Sequence, residues 1–429
     1  SIHTILPLIL MIIGYPLGIW AIKNFLIIPV DRIGDCVWVF RFVCLTCFIS
    51  MVSVPFNAMY TAKQYIAELT IYSYVTSTLN ALFLYYMITH PGVWLVKYAF
   101  WTCVIGLIPS LIIGIRAIFL FKECRILSRY LWSIPELKQL LSFAGWSFFG
   151  SLGNLLKGAG MTVLVNKMLG PSCNAAVTIA SSLSSHTMTL SSSMIGAFNP
   201  AITNAVGAGD RERMISLVHK TCKFGAALVL PFAIPIALEI DHILLIWLKN
   251  PPTGVGVLCI WLMVVLVFEN MTTGHWIVVQ ANGRVREYQM IVGLCFILTL
   301  PLAWIMIRYG LGLYSVGYSL LITLLMVVLI RLVAVKILLE ISPKYWITRI
   351  FIPVLLVAAI SSLVGALPQL FMTSSIGRII LTTFSVELIL LPLLYGVVLD
   401  KEERLFIVSK VQKCFLAFLK AMKNKAVVE

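Results

Sequence analysis

The chain has 429 residues, 60% of them apolar and only 11% charged, with a mean hydropathy of +1.00 and a formal net charge of +15. A soluble domain of this length does not carry that apolar share, which excludes soluble enzymes and soluble nucleic-acid-binding proteins. The class that remains is an all-α polytopic membrane protein, with membrane lipids as partners and no nucleic acid.

In chain order, apolar runs cover residues 4–27, 36–58, 69–89 and 94–121, then, after a polar break, 141–168, 174–203, 216–240, 254–279, 288–307, 312–335, 347–371 and 377–399. Each is long enough, at about 1.5 Å per residue, to cross most or all of roughly 30 Å of hydrocarbon. Twelve transmembrane helices are predicted. The break at 122–140 reads as a cytoplasmic linker; Ser133, Pro135 and Glu136 mark the start of the next helix as a cap, a first-turn proline and a capping box. The tail from 400 to 429 spaces Leu405, Val408, Val411, Phe415, Phe418 and Met422 along one helical face with lysines opposite, which predicts an amphipathic helix on the inner leaflet.

The positive charge follows topology. Segments 61–68, 122–140, 207–223, 281–287, 336–349 and 400–429 hold most of the 32 Lys and Arg, and the positive-inside rule places them in the cytoplasm. Residues 28–35, 169–173, 241–253 and 308–311 then lie outside. Most of the 10 cysteines fall inside apolar runs and read as core thiols. Cys44 and Cys47 form a C-x-x-C within one helix, with no second pair and no nearby His, so neither a metal site nor a disulfide is expected.

The chain also resembles itself. TAKQYIAEL from Thr61 and QANGRVREY from Gln280 match in the placing of Ala62 and Ala281 and of Glu68 and Glu287, with apolar helices after both. Upstream, NFLIIPVDRIGDCVWVF and ILLIWLKNPPTGVGVLCIW each combine a helix end, a Pro-containing external loop and a Trp-bearing helix start. A full repeat would need about 80 residues, two further helices, ahead of Ser1, giving fourteen in all.

Polar residues inside the apolar runs mark candidate transport groups. Asn174, Thr178, Ser181, Ser185, Thr189, Ser192, Gly196 and Asn199 recur at helical spacing along 174–203, so one face of that helix is polar. His186 sits near its middle. Lys157 lies deep in 141–168, with Ser151, Asn154, Gly158 and Thr162 on or near the same face. A cation there costs about 2.5–3.5 kcal/mol on insertion scales; it either faces a wet cavity, snorkels outward, or pairs with a carboxylate. Glu269 and His275 belong to a polar cluster with Asn270, Thr272 and Thr273 in 254–279; Glu269 is a candidate for proton or sodium coupling or a salt-bridge partner of Lys157. Arg41 is placed near the outer end of its helix. Arg378 and Glu387 read as interface residues, and Glu239, Asp241 and His242 as an external helix end.

The NAA, IA, NPAI and GAGDRER elements between Asn174 and Arg213 resemble the matching helix and cytoplasmic turn of the multidrug/oligosaccharidyl-lipid/polysaccharide (MOP) exporter superfamily, particularly its polysaccharide-transport (O-antigen flippase) branch. That resemblance implies a MATE-like two-lobe helical bundle: 1–121 as the remainder of the N-terminal lobe, 141–340 as the six-helix C-terminal lobe, and 341–399 as two additional helices. It further implies a flippase in the bacterial inner membrane that moves an undecaprenyl-diphosphate-linked oligosaccharide by alternating access, driven by H+ or Na+ and acting beside other polysaccharide-assembly proteins. The head group would sit among Lys157, Asn154, Ser151, Asn174, Thr178, Ser185, His186 and Arg41, with Glu269 and His275 as candidate coupling residues. A MATE-type cation or drug antiporter is the alternative. A membrane enzyme of polysaccharide assembly is the remaining reading and the least favoured, because external loops are short and no nucleotide-binding, zinc-protease or Asp-rich motif is present; neither catalytic residues nor a resident cofactor are expected.

Overall fold

The computed structural model describes residues 2–63, 65–90, 92–124, 151–283 and 285–405, and among these there is no strand. Helices are the only answer this composition allows. A backbone surrounded by hydrocarbon must satisfy its own N–H and C=O groups, which a helix does within one segment. The chain divides into two compact units, Ser1–Ala144 and Gly145–Glu429. Among the described residues eight helices are long and apolar enough to span a membrane, or nine if one bent pair counts as a single span. The protein is therefore a multi-pass membrane protein.

The first unit contains α1 (Ile2–Trp20), α2 (Ile33–Ala62), α3 (Ile66–Thr89) and α4 (Leu95–Leu120). Its buried centre is small: Tyr60, Ile113, Ala117 and Phe121, with the Tyr60 and Phe121 rings edge to face at 5.2 Å. Much of the remaining apolar surface is exposed, as expected where lipid is the solvent. Glu68 is held by Arg116 and accepts the Tyr72 hydroxyl at 2.8 Å. Lys63 meets Glu123 at 2.7 Å and, by hydrogen bonding, holds its carboxyl below the usual carboxylate range. That contact joins two segments assigned to the cytoplasm from charge alone.

The second unit begins, within the described residues, with α5 (residues 151–169), followed by α6 (Pro171–Gly207), α7 (Arg211–Leu238), α8 (Ile240–Leu248), α9 (Val255–Asn270), α10 (Thr273–Ala281), α11 (Val285–Arg308), α12 (Tyr314–Leu339), α13 (Pro343–Phe371) and α14 (Ile376–Val398). Asp210 caps α7 by accepting the Arg213 N–H, and Pro171 opens α6 in the first turn, where its missing donor costs nothing. Close packing of α5 on α11 depends on glycine: a Cβ on Gly153 would lie 2.5 Å from the Gly293 carbonyl oxygen, and one on Gly160 would lie 2.8 Å from Leu300.

All twelve expected segments fall on helices, although 141–150 lie outside the described residues. So do the rest of the linker beyond Cys124, with Ser133, Pro135 and Glu136, and the tail beyond Leu405. Ile66–Thr89 and Pro171–Gly207 have spanning length but are not among the eight, because Ser, Thr, Asn and Tyr lower their apolar content. One expectation is corrected: 254–279 is not a continuous helix. Its two halves, α9 and α10, meet at 45° across Met271 and Thr272.

Two ion-pair clusters tie α14 and the residues that follow it to α7. Just past the C-terminus of α7 Glu239, fully buried, accepts Arg378 Nη2 at 2.8 Å and Nε at 3.1 Å on one oxygen and the Thr382 hydroxyl at 2.8 Å on the other. Near the middle of α7 Lys223, 1% exposed, binds Asp400 and reaches Glu403 at 3.3 Å. Removing one partner from a buried pair costs about 3–5 kcal/mol, whereas replacing both with apolar groups costs far less. Arg378→Met should therefore lower the thermal midpoint of the detergent-solubilised protein markedly, and Glu239→Leu/Arg378→Met should recover much of the loss. Equal midpoints for the single variant and the wild type would show that Glu239 is hydrated and the clamp is not stabilising.

Candidate functional site

The site forms where α5, α6, α9, α11 and α12 pack in the second unit. The α5 backbone widens to a π-turn over Leu156–Gly160, a distortion that often marks functional positions in helices, and Lys157 lies in it. Its ammonium is 2.9 Å from Glu269 Oε1 and 4.8 Å from the centroid of Phe296. The pair is sheltered but not shut: the Lys157 side chain is 17% exposed and that of Glu269 34%. Beside it a cavity of about 160 Å³ is lined by Asn154, Lys157 and Ser181 among apolar residues of α6, α9 and α12. The salt bridge that was one of the open readings for Glu269 is thus present, and Lys157 already has its counter-charge without a diphosphate.

Glu269 sits one residue before the end of α9, and the break that follows is held open by side chains from three other helices. Trp346 of α13 donates its indole N–H to the freed Met271 carbonyl at 2.8 Å. Arg331 of α12 donates to the Thr272 hydroxyl at 2.7 Å and to the Tyr288 hydroxyl of α11 at 3.1 Å. The Thr272 and Thr273 hydroxyls turn back to the Glu269 carbonyl at 3.2 and 3.1 Å. Gly274 packs so tightly on Val218 and Cys222 of α7 that no larger residue fits. A broken helix inside a membrane persists only where neighbours satisfy the released backbone groups, and this one is supplied with them. His275, 1% exposed, stacks obliquely near Trp346 at 6.2 Å, with Nδ1 unpartnered.

The hydroxyl-rich helix α6 turns its polar face outward. Thr178, Ser181, Ser185, Thr189, Ser192, Gly196 and Asn199 are exposed, while Ala176, Val177, Ala180, Thr187 and Ile202 are buried against the core. Along that face the hydroxyls of Thr178, Ser185, Thr189 and Ser192 each donate to a carbonyl three or four residues earlier in the same helix. Donors consumed in this way leave lone pairs pointing out, so the exposed stripe is one of acceptors. His186 is exposed beside it. Asn174 is half-buried with an unpartnered Oδ1; Ser151 and Asn154 are exposed on α5. Arg41 lies in the first unit, its Nε bonded to the Tyr15 hydroxyl at 3.1 Å and its guanidinium 4.6 Å over Trp38.

Arg331, Tyr288, Trp346 and Phe296 were not singled out from sequence. For Arg331 a signal existed: it is a basic residue inside an apolar run, LLITLLMVVLIRLVAVK, ahead of the terminal Lys336. The indole of Trp346 carried none, because its partner is a backbone carbonyl freed only by the break.

Replacing Lys157 with Met leaves Glu269 without its partner. The cost expected is about 1–3 kcal/mol, between that of an exposed and a fully buried pair. Lys157→Met/Glu269→Gln should recover most of it in thermal denaturation, and a double variant no more stable than the single would show that the two groups do not couple.

Residues 147–305 match the family model MatE, a span that includes Lys157, α6 and the helix break. No curated protein sequence matches the chain. In structure the chain is similar to a multidrug resistance MATE family transporter of the MOP superfamily in an outward-facing conformation, with a TM-score of 0.58 and 16% identity over 79% of this chain and 76% of that one. At that identity the likeness is one of fold, and the fold is MATE-like.

Proposed function

We propose that the chain is a MATE-type exporter of a bacterial plasma membrane that moves an organic cation outward in exchange for inward-moving H+ or Na+. It is a transporter and not an enzyme in this reading. The observation that carries it is the half-open Lys157–Glu269 pair at a helix break. In the absence of cargo Lys157 neutralises Glu269; a cation entering the cavity competes for the same carboxylate, and a proton or sodium ion on Glu269 displaces it in turn. One carboxylate serving two cations in alternation is sufficient for exchange. The acceptor stripe of α6 supports a cationic cargo as well, since outward lone pairs attract ammonium groups and repel phosphate oxygens.

The lipid-linked oligosaccharide reading stands second. It is favoured by one observation, that the same lone pairs can accept sugar hydroxyls, and is weakened by Lys157 being already paired. In inside-out vesicles carrying the protein, an imposed pH or sodium gradient should drive accumulation of a fluorescent organic cation. Glu269→Gln should abolish it, with Glu269→Asp retaining part. Absence of cation movement under either gradient, together with restored surface glycan in a flippase-depleted bacterium, would overturn the antiporter reading in favour of the second.

A further inference from the structure

A second cavity, of about 490 Å³, opens where three cytoplasmic segments of the second unit converge: the first turns of α7, the 340–345 turn and residues 400–403. Its volume is in the range of small-molecule sites. Five of the chain's 17 acidic residues line it, Glu212, Glu340, Asp400, Glu402 and Glu403, against Lys220 and Lys223. This is the reverse of what topology asks. The cytoplasmic face of a +15 chain is expected to be basic, yet here acid outnumbers base in one cavity.

Most of the local charge is already paired. Lys223 is bound by Asp400 and Glu403, and Glu340 meets Arg211 at 2.9 Å on the rim. Glu212 and Glu402 are left exposed on the lining with no ion pair among the described residues. A second, independent feature is His219. It lines the cavity, is 8% exposed, stacks on Tyr345 at 4.2 Å, and has an Nε2 with no hydrogen-bond partner. An unsatisfied buried nitrogen at the wall of an acidic cavity calls for a donor. A cationic N–H donor, an ammonium group, satisfies that nitrogen and the carboxylates around it together.

We infer that this cavity is a cytoplasmic-face binding site for a small organic ammonium ion carrying N–H donors, separate from the Lys157–Glu269 site. Its carboxylates take the charge, His219 Nε2 accepts one N–H, and the Tyr345 ring walls the aliphatic part. Such an ammonium group occurs both in soluble alkyl amines and in the head group of an ethanolamine phospholipid.

The test uses the full chain in phosphatidylcholine nanodiscs, titrated calorimetrically with 1,4-diaminobutane and with tetramethylammonium, which has the charge but no N–H. Saturable binding of the diamine is expected, at least tenfold tighter than tetramethylammonium. Glu212→Gln/Glu402→Gln, both at exposed positions, should weaken it tenfold or more. His219→Phe, which keeps the stack on Tyr345, should weaken it severalfold, and all titrations carry Glu269→Gln, so that cation binding at the Lys157–Glu269 site does not enter the signal. Replacing half the lipid with phosphatidylethanolamine identifies the source: a weaker apparent diamine affinity means that the lipid head group occupies the site, and an unchanged one that the ligand is a soluble amine. Absence of saturable binding, equal binding of tetramethylammonium, or variants that bind as the wild type does would overturn the inference.

Discussion

An ionised side chain among apolar helices must have a partner, and the second unit is organised by how completely each such charge is closed in. Glu239 with Arg378 and Thr382 is shut just past the end of α7, and Lys223 with Glu403 and Asp400 near its middle. At both clusters at least one member is essentially without solvent. Lys157 and Glu269 are different: both retain exposure, and the carboxylate keeps about a third. A shut pair exchanges with nothing and serves to fix two elements. A pair that is partly open can give up one partner to an incoming ion, because the vacated group is rehydrated instead of being stranded.

The same few residues that place Glu269 also break its helix. A run of Glu269, Asn270, Met271, Thr272, Thr273 and Gly274 brings together a carboxylate, an amide, two hydroxyls able to bond back to a carbonyl, and a glycine pressed on the neighbouring helix. Each weakens the regular ladder, and together they turn the axis by 45°. The Met271 carbonyl and the Thr272 hydroxyl are then received by Trp346 and Arg331 from other helices. Charge and break are therefore one construction, and the bend follows from the polarity that function would require at that depth.

Fold class and most of the helical segments were legible in the sequence because they depend on single-residue properties summed along the chain. Loops given the same side from charge alone meet in the structure, Lys63 with Glu123, Arg211 with Glu340 and Lys223 with Asp400. The polar face of α6 was legible as well, since periodicity alone defines a face. Its direction and its acceptor character were not, because they depend on which side the core takes and on hydroxyls bonding within their own helix. The pairing of Lys157 with Glu269 was one of several readings, since partners 112 positions apart leave no local trace. The bend at Met271 was missed for the opposite reason: apolar content on either side reads as one span, and nothing in hydropathy separates a straight helix from a broken one.

The two shut clusters also determine which parts of the second unit are free to move. Lys223 on α7 and Glu239 just past its end lie sixteen positions apart, about 24 Å along a helix, and are tied to Asp400 and Glu403 at one point and to Arg378 at the other. An element held at two points that far apart cannot tilt or slide against its neighbour without breaking a buried pair. Gln369 adds a third tie, donating to the Leu238 carbonyl at 2.6 Å. Helices α7, α13 and α14 thus behave as one block. The bonds that hold the α9–α10 break, by contrast, are single hydrogen bonds of about 1–3 kcal/mol each, next to an ion pair that keeps part of its surface exposed. A change of shape within the second unit therefore meets less resistance at the break beside Glu269 than at either buried cluster.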